Sequence, residues 1–366
     1  MDEAYITFIV TQACQLRCKY CYLVGKNNEW QMSLDVAKKA IDVILNEPII
    51  TSKKYVTFDF IGGEPLLEID LISDITEYLI QTMADYHMDS WLGSYRINIT
   101  TNGLMYRDAK VQQYITKHKE HLNISISIDG DRVKNDKNRV YPSGKGSYDD
   151  LIPNVELWVH QWPLVNTRMT ISHDDLPYVN NALQHLIKCG IHNIDVNPVL
   201  EDVWSDGDEV IFENELKKFA EYMAKHPLRD KLIITCFDGT IGHPLSKSNR
   251  VNPCGVDMLT IDAKGNFYTC LRFAAFSLRE KPARAIGNID TGININLLRP
   301  YLVVSPDVML RGEKCIDCDI ATGCKYCPAE NYDASISDTI FERSTNICKM
   351  HRAKVNAKNY YFSLLQ

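Results

Sequence analysis

The 366-residue chain has no uninterrupted apolar run approaching the roughly 18 residues that a membrane-spanning helix needs, so neither a span nor a membrane partner is expected. It also lacks the basic opening of a secretory signal, because Asp2 and Glu3 lead straight into an apolar run. Positive charge is in deficit. Forty Lys and Arg stand against 47 Asp and Glu, a formal net charge of −7 with a pI near 5.8. That balance argues against nucleic acid or an anionic membrane as a partner. Cysteine, by contrast, is abundant, with 12 residues. Clustered thiols without an export signal point to a reduced compartment, the cytoplasm, and to metal binding rather than disulfides. The length, with 45% hydrophobic residues, suffices for a large single-domain core or for one main domain plus a smaller one.

The stretch Cys14-Gln-Leu-Arg-Cys18-Lys-Tyr-Cys21 follows the strand-like run Ala4–Thr11. Three thiolates spaced x3 then x2 can hold three corners of a cubane iron–sulfur cluster and leave the fourth iron open, whereas a closed cluster takes four cysteines. The competing reading is a zinc knuckle or buried free thiols. Zinc sites favour four ligands in paired CxxC spacings, which this segment does not supply.

The segment resembles the CxxxCxxC signature of the radical S-adenosylmethionine (SAM) superfamily, with the aromatic Tyr20 before the last cysteine. The resemblance implies a [4Fe–4S] cluster whose open iron binds the amino and carboxylate groups of SAM. One electron then cleaves SAM to a 5′-deoxyadenosyl radical that abstracts a hydrogen atom. Downstream, Gly62-Gly63-Glu64-Pro65 ends a strand predicted over Tyr55–Ile61. By itself it reads equally as a turn. It also resembles the family's GGEP motif, which holds the SAM amino group, with glycines that admit close backbone approach. Ser127, in Ser127-Ile-Asp-Gly after the strand predicted over Leu122–Ile128, matches a serine that contacts the SAM ribose. Arg139 matches an arginine that pairs with the SAM carboxylate, a role suited to its planar donor fork. Asn197, at the end of a strand predicted over Ile191–Asn197, is assigned to the ribose or the SAM backbone.

The pattern predicts about six strand–helix units, hence an α/β fold with a parallel sheet and outer helices. Ser33 is expected to cap a helix over Leu34–Leu45. The family resemblance makes this a partial (β/α)6 TIM-like barrel, with the motifs at the C-terminal ends of strands. The expected division is residues 1–205 as the barrel, 206–250 as a bridge, and 251–366 as a small cysteine-rich domain with a C-terminal helix.

That last third holds Cys254, Cys270, Cys315, Cys318, Cys324, Cys327 and Cys348. Asp262-Ala-Lys-Gly265, between two strand-like runs, predicts a β-hairpin. CxxC pairs also suit zinc. The set resembles the SPASM extension of radical SAM peptide- and protein-modifying enzymes, although Cys324 and Cys327 are x2 rather than x3 apart. The resemblance implies two auxiliary [4Fe–4S] clusters, three in all. One takes Cys315, Cys318, Cys324 and Cys348. The other takes Cys254, Cys270 and Cys327, with one iron open to a substrate thiol. Cys236 could supply the fourth ligand, although its strand setting reads as a buried structural thiol.

Formylglycine-forming relatives use an aspartate just after the second cysteine of this module. Here Leu271-Arg272 follows Cys270. The expected reaction is therefore thioether crosslinking in a cysteine-containing ribosomal precursor peptide. Carbon–carbon crosslinking, epimerisation and formylglycine formation stand as alternatives, as does a scaffold whose metals only staple the fold. A further expected partner is an electron donor such as flavodoxin or ferredoxin. Because the sequence starts directly at its first strand, leader recognition is expected to use a separate leader-binding protein, a different surface, or none at all.

Overall fold

The computed structural model describes residues 2–24, 30–162, 164–245, 257–302, 315 and 317–366. Cys254 and the stretch 246–252, read as part of a bridge, lie outside them. The chain begins with β1 (Glu3–Thr11), α1 (Leu34–Leu45), β2 (Tyr55–Gly62), α2 (Ile69–Asp85), β3 (Arg96–Thr101), α3 (Ala109–His118) and β4 (Leu122–Ile126). It continues through α4 (Arg132–Asn138), α5 (Tyr148–Gln161), β5 (Asn166–Ile171), α6 (Val179–Lys188), β6 (Asn193–Pro198), α7 (Asp208–Lys225) and β7 (Ile233–Ile234). It closes with β8 (Met258–Ile261), β9 (Asn266–Tyr268), β10 (Gly287–Asn288), β11 (Gly292–Ile293), α8 (Ile295–Leu302), α9 (Pro328–Ala334) and α10 (Cys348–Ser363).

These elements form two units. The first is built from residues Met1–Gln15, Tyr22–Ser125 and Asn252–Val304. Its centre is β1, in which Ile6, Phe8, Ile9 and Val10 are at most 2% exposed. A strand buried on both faces needs such a continuous apolar run. β1 pairs in parallel with β2 (Phe8 opposite Phe60), and β3 and β4 extend the sheet. The Phe8 and Phe60 rings stack with centroids 5.7 Å apart. Ser33 caps α1 as predicted, its hydroxyl accepting from Val36 N at 3.2 Å.

The hairpin predicted around Asp262–Gly265 is present, with β8 and β9 antiparallel. Asp262 Oδ1 accepts from the Lys264 and Asn266 amides at 2.9 Å each, and Gly265 supplies the left-handed turn at φ +79°. This hairpin does not stand apart in a C-terminal module. β8 pairs in parallel with β1, Tyr5 opposite Met258 and Phe8 opposite Ile261, so the sheet reads β11-β10-β9-β8-β1-β2-β3-β4.

The second unit is built from residues Leu16–Cys21, Ile126–Val251 and Ser305–Gln366. Its parallel sheet has the order β5-β6-β7. All six parallel strands expected of a strand–helix repeat are thus present, distributed over two sheets. α10 packs on α7, where Asn356 donates to Glu213 at 2.8 Å and Tyr360 to Glu221 at 2.8 Å. Among the described residues no helix is long and apolar enough to cross a membrane.

Candidate active site

In the first unit, β1 ends at Thr11 and the chain turns into the cysteine loop. The GGEP segment runs alongside it. Gly63 N donates to Thr11 O and Glu64 N to Ala13 O, both at 2.8 Å. A Cβ on Gly62 would lie 2.3 Å from Thr11 O, and one on Gly63 would lie 2.2 Å from Ala13 O and 2.4 Å from Gln12 O. These glycines are therefore required by the backbone that leads to Cys14. Pro65 opens a short 3-10 turn, Pro65–Glu68.

Glu64 is 1% exposed, and its carboxylate is engaged by protein. Oε1 accepts from Thr101 Oγ1 at 2.6 Å and Leu66 N at 3.0 Å, and Oε2 accepts from Asn102 N at 2.7 Å. Asn102 Nδ2 in turn reaches Gln15 Oε1 at 3.0 Å and Cys14 Sγ at 3.8 Å. Three chain segments, at the ends of β1, β2 and β3, are so laced together around Cys14. Gln12 Oε1 is buried there without a hydrogen-bond partner.

In the second unit, the segment bearing Cys18 and Cys21 is fixed by its backbone. Arg17 N donates to Val140 O at 2.7 Å, Lys19 N to Asn138 O at 3.1 Å, and Cys21 N to Cys18 O at 3.1 Å. The Tyr20 hydroxyl donates to the Asp129 carboxylate and accepts from Arg139 Nη1 at 3.1 Å. Asp129 Oδ1 also accepts from Thr170 N at 2.9 Å. Burial and the Asp129 charge push the Tyr20 phenol well up, so it stays protonated. Burial opposes the Arg139 charge, yet Tyr20, Cys18 and Asp129 outweigh it and hold the guanidinium ionised. Arg139 follows directly on α4. It is 6% exposed at the C-terminal end of α4, and its Nε is buried without a partner.

Ser127 follows β4, half-buried, two residues before Asp129. Asn197 lies in β6, and its side-chain oxygen accepts from Lys325 Nζ. Burial pulls the Lys325 ammonium down to about 8 against the opposing charge of Asp195.

Among the later cysteines, Cys270 is buried in the first unit, just before the turn Leu271–Phe273. Cys315, Cys318, Cys324, Cys327 and Cys348 belong to the second unit. Burial raises the Cys324 thiol, Arg343 lowers it, and Cys348 and Cys315 lie near enough to raise it further. Cys327 caps α9, its sulfur accepting from Glu330 N at 3.4 Å. It lines a cleft of about 220 Å³ with Leu200, Lys325, Glu330, Asn331 and Ser344. Cys236 is fully buried and its thiol is pushed up to about 12 by that burial. Cys189 contacts His185 Nε2 at 3.4 Å. No three His, Cys, Asp or Glu side chains among the described residues are grouped as ligands of one metal ion would be.

Two functional candidates had escaped the sequence reading. Asp129 was visible only as a polar residue before Gly130 at a strand end. The Glu64 link to Thr101-Asn102 joins residues 37 or more apart, which no local pattern marks.

Thiols are the donor type that an iron–sulfur cluster takes. Cys14, Cys18 and Cys21 offer half-buried thiols, and Arg139 keeps an unused buried donor. Residues 8–176 match the radical SAM superfamily. An uncharacterized protein of Methanocaldococcus jannaschii is 30% identical over 185 residues, 50% of this chain and 59% of its own length. A GTP 3′,8-cyclase of Tolumonas auensis is 24% identical over 297 residues, 81% of this chain and 70% of that one. The solved structure of anSMEcpe with bound AdoMet and the Cp18Cys peptide has the same fold, with a TM-score of 0.69 over 99% of this chain and 98% of its own at 17% identity. The stretch 8–176 thus carries the radical SAM sequence pattern, and the chain shares the fold of a structure solved with bound AdoMet.

Proposed function

We propose that the chain is a radical SAM peptide maturase that joins a cysteine sulfur of a precursor peptide to a carbon of the same peptide. The observation that carries this reading is the fold likeness, over nearly the whole chain, to anSMEcpe solved with AdoMet and the Cp18Cys peptide. When bound, the cluster and SAM would supply a radical to take one hydrogen atom from the substrate; closing the C–S bond would then send the thiol proton to solvent and one electron to an oxidised iron–sulfur cluster.

In this reading Cys14, Cys18 and Cys21 hold the radical cluster. The Gly62–Gly63 backbone faces the SAM amino group, Arg139 donates to its carboxylate, and Ser127 and Asn197 meet the ribose. Tyr20 and Asp129 orient the guanidinium, so its free donor is fixed before SAM arrives, and a charge-assisted bond made in a buried site is stronger than one in water. Glu64 is a positioning residue, since its oxygens are occupied by Thr101, Asn102 and Leu66. Cys315, Cys318, Cys324 and Cys348 hold one auxiliary cluster. Cys254, Cys270 and Cys327 hold another, and Cys327 borders a surface cleft. A metal-bound thiol is deprotonated, which makes it ready for bond formation. A flavodoxin or ferredoxin supplies electrons.

The test is anaerobic reconstitution with a cysteine-containing precursor peptide and a reductant. The expected product is lighter by two hydrogens. Cys270→Ala should keep uncoupled SAM cleavage and lose the product. Normal product from that variant overturns thiol capture. The likeness to a GTP 3′,8-cyclase favours a second reading, action on a nucleotide. GTP turnover without any peptide product would establish it, and absence of SAM cleavage would return the scaffold reading.

Gly63→Ala tests the geometry directly. Its Cβ would meet backbone oxygens at 2.2 and 2.4 Å, which no rotamer change relieves. A displacement of the cysteine loop by about 1 Å should cost about 100-fold in SAM cleavage. Gly93→Ala, whose nearest contact is 3.4 Å, is the control and should change nothing. Equal rates of 5′-deoxyadenosine formation in the two variants would refute the packing argument.

A further inference from the structure

The loop bearing Cys324 is clasped by basic side chains of its own unit. Ile320 O accepts from His351 Nε2 at 2.6 Å, Gly323 O from Lys354 Nζ at 3.3 Å, and Lys325 O from Arg343 Nη2 at 3.3 Å. Arg343 Nη2 also donates to Cys324 Sγ at 2.9 Å. Its guanidinium lies 5.5 Å from the ring centroid of Tyr326, whose own hydroxyl is tied to Ile340 O at 3.0 Å. The cation is therefore fixed rather than swinging in solvent. Lys354 is 8% exposed and acts electrostatically on Cys324.

A carbonyl clasp alone would only need neutral donors. Here a group that is always charged points at a sulfur, and a second cation stands behind it. Adding an electron to an iron–sulfur cluster adds negative charge. A fixed cation hydrogen-bonded to a ligating sulfur favours that reduced state, and such bonds, with net charge and burial, set cluster potentials. Cys324 and Arg343 are both half-buried, so solvent screens the effect only in part.

We propose that Arg343, supported by Lys354, is a tuning residue that raises the reduction potential of an iron–sulfur cluster held by Cys315, Cys318, Cys324 and Cys348. This rests on the ligand assignment given under the proposed function. The two are separable by experiment. The full chain is reconstituted with Cys14, Cys18 and Cys21 changed to Ala, so that only auxiliary clusters contribute. Iron is counted, and midpoints are read by potentiometry monitored by electron paramagnetic resonance.

Arg343→Met should keep its iron and shift one midpoint to lower potential, and Arg343→Lys should fall between it and the parent. An unchanged midpoint with iron intact overturns the proposal. If Arg343→Met loses iron, Lys354→Met carries the test, because Lys354 donates to a carbonyl and not to a ligand sulfur. It should lower the same midpoint, and no shift there overturns the proposal equally. Cys324→Ala should lose about four irons. Unchanged iron in that variant would overturn the ligand assignment instead.

Discussion

Cys18→Ala is expected to end SAM cleavage outright while the protein stays folded, and the same is expected for Cys14→Ala and Cys21→Ala. A cubane held by three thiolates has no spare ligand, so losing one removes about four irons and all chemistry that depends on them. The fold has little at stake. All three thiols are only half-buried, so their loss removes little apolar packing. The backbone around Cys18 is held independently by Arg17 N on Val140 O and Lys19 N on Asn138 O. Circular dichroism should therefore match the parent. Iron should drop by about four per chain, and 5′-deoxyadenosine should not rise above a protein-free control. Cleavage retained in any one variant would sink the assignment of that cysteine.

The parts legible in the sequence were those set by local pattern. β1 announces itself by an apolar run too continuous for a half-buried strand. α1 does so by Ser33 and the spacing of Ala37, Ile41 and Ile44, all buried. The cysteine loop and GGEP were legible because their spacing is itself the chemistry. What stayed hidden was long-range or polar. α4, Arg-Val-Lys-Asn-Asp-Lys-Asn, has no apolar stripe, and nothing local says that Lys134 and Asn138 point inward. The pairing of β8 on β1 joins residues about 250 positions apart, so the hairpin was legible but its neighbour was not. The glycines of GGEP are closely packed. Their immediate steric reason is the carbonyls of residues 11–13, which the sequence does not display.

Lys134→Met should be among the most destabilising single substitutions in the second unit. Lys134 and Asp175 form an ion pair at 3.1 Å with both side chains at 0% exposure. Lys134 Nζ also donates to Thr170 O at 2.6 Å. Asp175 further accepts from Asn138 Nδ2 at 2.7 Å and Ser172 N at 2.8 Å. Removing the lysine leaves a buried carboxylate facing no cation and a carbonyl without its donor. Breaking a buried pair in this way costs about 3–5 kcal/mol. By comparison, the exposed Lys110–Asp70 pair, with side chains 63% and 72% exposed, is screened by solvent, and its loss should leave the unfolding midpoint nearly unchanged. The difference decides which charge matters to the fold. Methionine matches the aliphatic stem, so the loss isolates the charge rather than the packing. Adding Asp175→Asn should recover part of the stability, because a neutral amide is cheaper to bury than an unpaired carboxylate. Denaturant unfolding measures both variants. The effect should reach the site as well, since α4 ends at Arg139, and SAM binding should weaken together with stability. A Lys134→Met protein within about 1 kcal/mol of the parent would mean that α4 is held by its neighbours and not by this pair.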